Sequence, residues 1–90
     1  MKKLAIENID AIMKQKAIKA AAISARSEAT TRYPSGSSVD LRKFEATVSN
    51  AGFGIDYVRS HTVAGYSMFG YCTYRISDSD GFHINFTVEF

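Results

Sequence analysis

Phe82, Ile84, Phe86, Val88 and Phe90 alternate without a break with His83, Asn85, Thr87 and Glu89. A period of two sends successive side chains to opposite sides of an extended chain, so this segment predicts a strand with one apolar and one polar face. Such a strand has to bury one side, and the rest of the chain must supply its partners and its cover.

The preceding segment, about Tyr66 to Ile76, is joined to it through Ser77-Asp78-Ser79-Asp80-Gly81. Parity limits how the two can pair. A two-residue turn at Asp80-Gly81 would put Ser67, Phe69, Tyr71, Thr73 and Arg75 on the apolar face. A five-residue loop instead sets Ile76 against Phe82, Tyr74 against Ile84, Cys72 against Phe86, Gly70 against Val88 and Met68 against Phe90, so an odd-numbered loop of three or five residues is expected. An earlier strand, about Ile55 to Val63, turns at Ala64-Gly65. With two residues in that turn, Tyr57 opposes Cys72 and Arg59 opposes Gly70 on the core side; one residue more exchanges the faces. The residues alone leave both arrangements open.

Upstream the period changes. From Lys3 to about Glu28 the chain is rich in Ala, Ile and Lys and contains neither Gly nor Pro, which predicts a helix. At about 100° per residue, Ile6, Ile9, Met13, Ala17 and Ala20 share one face with Ile12 and Ile23 at its margin, and this stripe is expected to meet the sheet. Leu4, Ala11, Ile18 and Ala25 form a second stripe on the far side, spaced by sevens. It suits either a helix packed on two sides or a self-association seam, in which small residues let helices approach closely.

Residues 29–38, including Tyr33-Pro34 and Ser35-Gly36-Ser37-Ser38, read as a connecting loop. Ser37 or Ser38 is the expected N-cap of a second helix, with Asp40 completing a capping box three residues after Ser37. Leu41, Phe44, Val48 and Ala51 carry its apolar face, and Gly52 closes it near residue 51. The expected fold is therefore α+β: two helices on one face of a three-stranded antiparallel sheet, in the order helix, helix, strand, strand, strand, as one domain over residues 1–90.

Composition supports a folded domain, because 46% of the residues are hydrophobic and 12% aromatic. Cys72 is the single cysteine and cannot form an internal disulfide, which favours a reducing, cytoplasmic setting. Met1-Lys2-Lys3 opens like a secretory signal, but Glu7 and Asp10 interrupt the apolar run such a signal needs, and no stretch suits a membrane span. Net charge is +2, unevenly spread: residues 1–43 hold nine Lys or Arg and four Asp or Glu, whereas residues 44–90 hold two and five. The helical half is basic and the sheet half acidic.

No phosphate-binding glycine loop, nucleophile elbow, zinc-protease helix or paired-cysteine spacing occurs, so no enzyme, metal or cofactor chemistry is expected. Cys72, His61 and His83 supply suitable residue types, but Cys72 and His83 fall on opposite faces of the expected sheet. Asp78 and Asp80 sit at a hairpin tip without the ligand count of a calcium loop.

Two macromolecular surfaces remain. Phe69, Tyr71, Arg75 and His83 lie on the outer sheet face and combine aromatic and Arg side chains as protein interfaces do. Lys19, Arg26, Arg32, Arg42 and Lys43 offer phosphate contacts, which makes nucleic acid the alternative partner. The expected role is a small non-enzymatic binding protein, an inhibitor or regulator of a larger protein or nucleoprotein complex, of the kind phages deploy against host machinery. Self-assembly into a homodimer through Leu4, Ala11, Ile18 and Ala25 is the further alternative.

Overall fold

The structure is a computed structural model that describes the backbone of residues 2–34, 36–63 and 69–90, and side chains for residues 9–34, 36–62 and 70–90. Its elements are α1 (Lys2–Ala29), β1 (Thr30–Tyr33), β2 (Gly36–Val39), α2 (Leu41–Asn50), β3 (Gly54–Val63), β4 (Phe69–Ser77) and β5 (His83–Glu89). β3, β4 and β5 form an antiparallel sheet in that order, and both helices pack on one of its faces. The α+β architecture expected from the sequence is the observed one, with a hairpin added between the helices.

That hairpin replaces the expected loop. Thr30 pairs with Val39, Thr31 with Ser38, Arg32 with Ser37 and Tyr33 with Gly36. β-Branched Thr30, Thr31 and Val39 toward its base and Tyr33 near its tip favour extended backbone despite the serines, and the Asp40 N–H donates to Ala29 O at 2.9 Å to close it. Because residues 36–39 are strand, α2 starts later than expected. Asp40, rather than Ser37 or Ser38, is the N-cap, and its Oδ1 accepts from the N–H groups of Arg42 at 3.0 Å and Lys43 at 3.2 Å. Gly52 ends α2 as expected. At φ +96° it donates to Ser49 O while Phe53 donates to Val48 O, the paired bonds of a Schellman close.

The expected core stripe of α1 is reversed. Ile18, Ala22, Ala25 and Ala29 are buried, while Ile9, Ile12, Met13, Ala17, Ala20 and Ile23 face water. Size explains the choice. Phe44 from α2, Tyr74 from β4 and Phe86 from β5 fill the layer between helices and sheet, with ring centroids 5.4 Å apart for Phe44 and Tyr74 and 6.0 Å for Phe44 and Phe86. An alanine-rich face lets α1 close on those rings, whereas the bulkier Ile and Met face would hold it away. Ile18 and Ala25 therefore belong to the core and cannot form a self-association seam. Ala11 is half-buried, and the side chain of Leu4 lies outside the described ones.

β4 and β5 keep the expected faces but not the expected partners. Ile76 pairs with Ile84, Tyr74 with Phe86 and Cys72 with Val88, a slip of two residues that leaves parity intact. The Asp78 N–H donates to Phe82 O at 2.9 Å, leaving the odd-numbered tip Ser79-Asp80-Gly81, with Gly81 at φ +90°. Asp78 Oδ1 accepts from the N–H groups of Asp80 and Phe82. Lys14 of α1 reaches this tip, with Nζ 3.1 Å from Asp80 Oδ2 and 4.6 Å from the Phe82 ring centroid.

In β3 the register shifts between Tyr57 and Arg59. Tyr57 opposes Tyr74 rather than Cys72, and Arg59 opposes Thr73 rather than Gly70. The bulge therefore moves Arg59 to the outer face and removes the conflict of a guanidinium on the core side. The expected turn at Ala64-Gly65 lies outside the described residues.

Candidate protein interface

The outer face of the sheet carries three cross-strand rows: Asp56, Arg75 and Asn85; Arg59, Thr73 and Thr87; His61, Tyr71 and Glu89. His83 lies beyond the first row, paired with Ser77. Of the protein-binding residues expected from sequence, Tyr71, Arg75 and His83 are thus exposed on one face. Phe69 holds its register opposite Val63, and its side chain lies outside the described ones. Arg59, Asp56 and His61 also belong to this face, but they were illegible as such because only the bulge assigns their parity. The centre of the face is closed. Thr73 is only 2% exposed, and its hydroxyl lies 2.9 Å from that of Thr87. Tyr71 is 37% exposed and tilts against His61 with ring centroids 5.6 Å apart.

On the opposite side of the molecule several large apolar side chains stand exposed among the described ones. Ile9 is 57% exposed, Ile12 49%, Met13 64% and Ile23 41%, all on the side of α1 turned away from the core. α1 packs over β5 and β4, whereas α2 lies over β3. β5 is an edge strand, and α1 packs beside that edge. Between them lies a hollow of about 300 Å³ lined by Ile12, Gln15, Lys16, Lys19, Ile84, Asn85 and Phe86. Further along β5 a second hollow of about 490 Å³ is bounded by Arg26, Thr30, Ser37, Val39, Thr87 and Glu89.

The basic residues divide accordingly. Lys19 and Arg26 line these two hollows, and Arg32 joins Arg26, Ile23 and Thr30 around a third of about 340 Å³. The Arg26 guanidinium sits 5.4 Å from the Phe86 ring centroid. Arg42 and Lys43 are exposed in the first turn of α2 and line none of these three hollows. Lys14 is committed elsewhere. Its hydrogen bond to Asp80, aided by Asp10, raises its pKa above the ordinary lysine value.

The residue types with chemical potential are dispersed. Cys72 is buried on the core side, while His61 and His83 are exposed on the outer face. Among the described residues no group of three or more His, Cys, Asp or Glu side chains could hold a metal ion. Among the described residues Tyr74 is strongly perturbed: burial pushes its phenol well above the usual range, with Cys72 and Glu45 adding to the shift. Among the described residues no helix is long and apolar enough to cross a membrane.

No family model, curated protein or solved structure matches this chain.

Proposed function

We propose that this chain is a non-enzymatic protein that binds a larger protein and acts as a regulator or inhibitor of the complex containing it. The supporting observation is the outward side of α1, where Ile9, Ile12, Met13 and Ile23 stand in water opposite the buried face of the same helix. Scattered exposed hydrophobics are ordinary, but several large ones gathered on one helix mark an interaction surface. Tyr71, Arg75 and His83 on the outer sheet face are the second candidate contact, since Tyr and Arg recur at interface hot spots. A cytoplasmic site of action agrees with a lone, buried thiol at Cys72.

Affinity capture from host lysate with nuclease present tests this reading. Wild type is expected to retain a stoichiometric protein, and Ile9→Glu with Met13→Glu is expected to lose it by about tenfold or more, as charges enter an apolar contact. Recovery of nucleic acid alone in the absence of nuclease would sink it, and undiminished capture by the variant would remove the outward side of α1 as the contact.

A further inference from the structure

Among the described residues no strand pairs with the outer edge of β5. Gly70 and Phe90 exchange both backbone bonds, at 3.3 and 2.9 Å, and the Asp78 N–H donates to Phe82 O at 2.9 Å. In an antiparallel ladder such pairs recur at every second residue, so residues 82, 84, 86, 88 and 90 direct their backbone groups to β4. His83, Asn85, Thr87 and Glu89 must then point their N–H and C=O groups outward. The pairing from Tyr71 with Glu89 to Ser77 with His83 is regular throughout, with no register shift. β3, the opposite edge, is interrupted by the bulge at Tyr57 and Arg59. Proteins commonly blunt edges with bulges, lysines or prolines, and β5 carries none of these.

α1 flanks this position, and the hairpin residues Thr30, Ser37 and Val39 bound it at the Thr87 and Glu89 end. A strand added beside β5 would lie about 4.8 Å from it, along the flank of α1 that bears Ile12, Lys16, Lys19 and Arg26. Its helix-facing side chains would meet Ile84 and Phe86 below and the basic residues above. Among the residues lining the two hollows along β5, three are cationic, Lys16, Lys19 and Arg26, and one is anionic, Glu89. The geometry points to an extended segment of a partner protein, with acidic and apolar side chains on its helix-facing positions, that docks as a fourth strand on β5. Main-chain bonds would supply the edge contacts, and the Lys and Arg heads would select acidic residues. This inference rests on the protein-binding reading above and names the chemistry of the partner.

A fluorescein-labelled seven-residue peptide, with threonines alternating with Glu, Val and Glu, is the direct probe, and the same peptide with Lys replacing Glu is its control. Anisotropy should show saturable binding of the acidic peptide and binding at least about tenfold weaker for the control. Amide exchange should slow at His83, Asn85, Thr87 and Glu89. Lys16→Glu with Lys19→Glu alters only exposed helix positions and should weaken binding by about tenfold. Asn85→Pro removes an outward N–H without touching the β4 ladder and should do the same.

Equal affinity for both peptides, no saturable binding of either, or unchanged exchange at the four amides would overturn the assignment. So would preferential, salt-sensitive binding of an oligothymidine control, which would give the trough to nucleic acid. A concentration-dependent dimer abolished by Asn85→Pro would identify a second copy as the occupant and would also overturn it. The peptide bypasses any native partner. Its failure therefore removes strand addition alone, whereas failure of the lysate capture removes the broader reading.

Discussion

The Tyr74 hydroxyl donates to Glu45 Oε2 at 3.2 Å, a polar tie between β4 and α2 beside the apolar contact of Tyr74 with Phe44. Its loss in Tyr74→Phe should cost about 1–2 kcal/mol, since Glu45 is only half-buried and can turn to water. The pH dependence has a definite sign. Burial first, then Cys72 and Glu45, raises the folded-state pKa above the ordinary tyrosine value of about 10, so the neutral phenol is favoured in the folded protein. This contribution is fully present below pH 10 and is lost as the pH rises beyond it, because the unfolded chain then releases the proton more readily. Urea unfolding of wild type and Tyr74→Phe across that range should show their stabilities converging with rising pH. A constant gap would contradict it.

Ile18 and Met13 exchange the roles that periodicity suggests for them. Ile18 is fully buried, so Ile18→Ala should cost about 2–5 kcal/mol through lost transfer energy and the cavity left behind. Met13→Ala should change stability by no more than about 0.5 kcal/mol. Chemical denaturation of the two variants decides between the stripes, and the opposite order would restore the Ile and Met face to the core.

Asp40 satisfies two of the orphan N–H groups at the start of α2. Asp40→Ala should therefore cost about 1 kcal/mol, equivalent to a fall of about 4–8 °C in Tm for a domain of this size. Asp40→Asn, which keeps a capping oxygen, should lose less. Ser37→Ala should have little effect because Ser37 lies in β2, outside the cap. Thermal melts of the three variants test where the helix begins.

These corrections show which parts of the fold were legible. The alternation in β5 survives because every apolar residue occurs at an even number, so even a two-residue slip against β4 leaves Phe86 and Val88 inward. Gly52 was legible because a positive φ after a helix selects glycine strongly. By contrast, α1 bears apolar residues on two sides, and its orientation depends on the aromatic rings of Phe44, Tyr74 and Phe86, which no local window contains. The β3 bulge is equally non-local. It fits the partner strand, and only after it is placed do Arg59 and His61 join Tyr71 and Arg75. The β5 trough was invisible for the same reason: Lys16 and Lys19 come near Ile84 and Phe86 only once α1 lies over the sheet edge.

The two candidate contacts can be separated because they lie on opposite sides of the sheet. Tyr71 and Arg75 are exposed, and neither makes a side-chain hydrogen bond among the described residues, so Tyr71→Ala with Arg75→Ala should leave the fold intact. The middle of their face is sealed by the Thr73 and Thr87 hydroxyls, leaving less apolar surface among the described side chains there than Ile9, Ile12, Met13 and Ile23 offer on α1. Apolar area removed from water is the main source of binding energy. In the lysate capture the double alanine variant is therefore expected to keep partner recovery within roughly threefold of wild type, while Ile9→Glu with Met13→Glu falls by about tenfold. If the order is reversed, with the sheet variant failing and the helix variant retaining the partner, the binding surface is the outer face. The exposed side of α1 would then have to be explained without that partner.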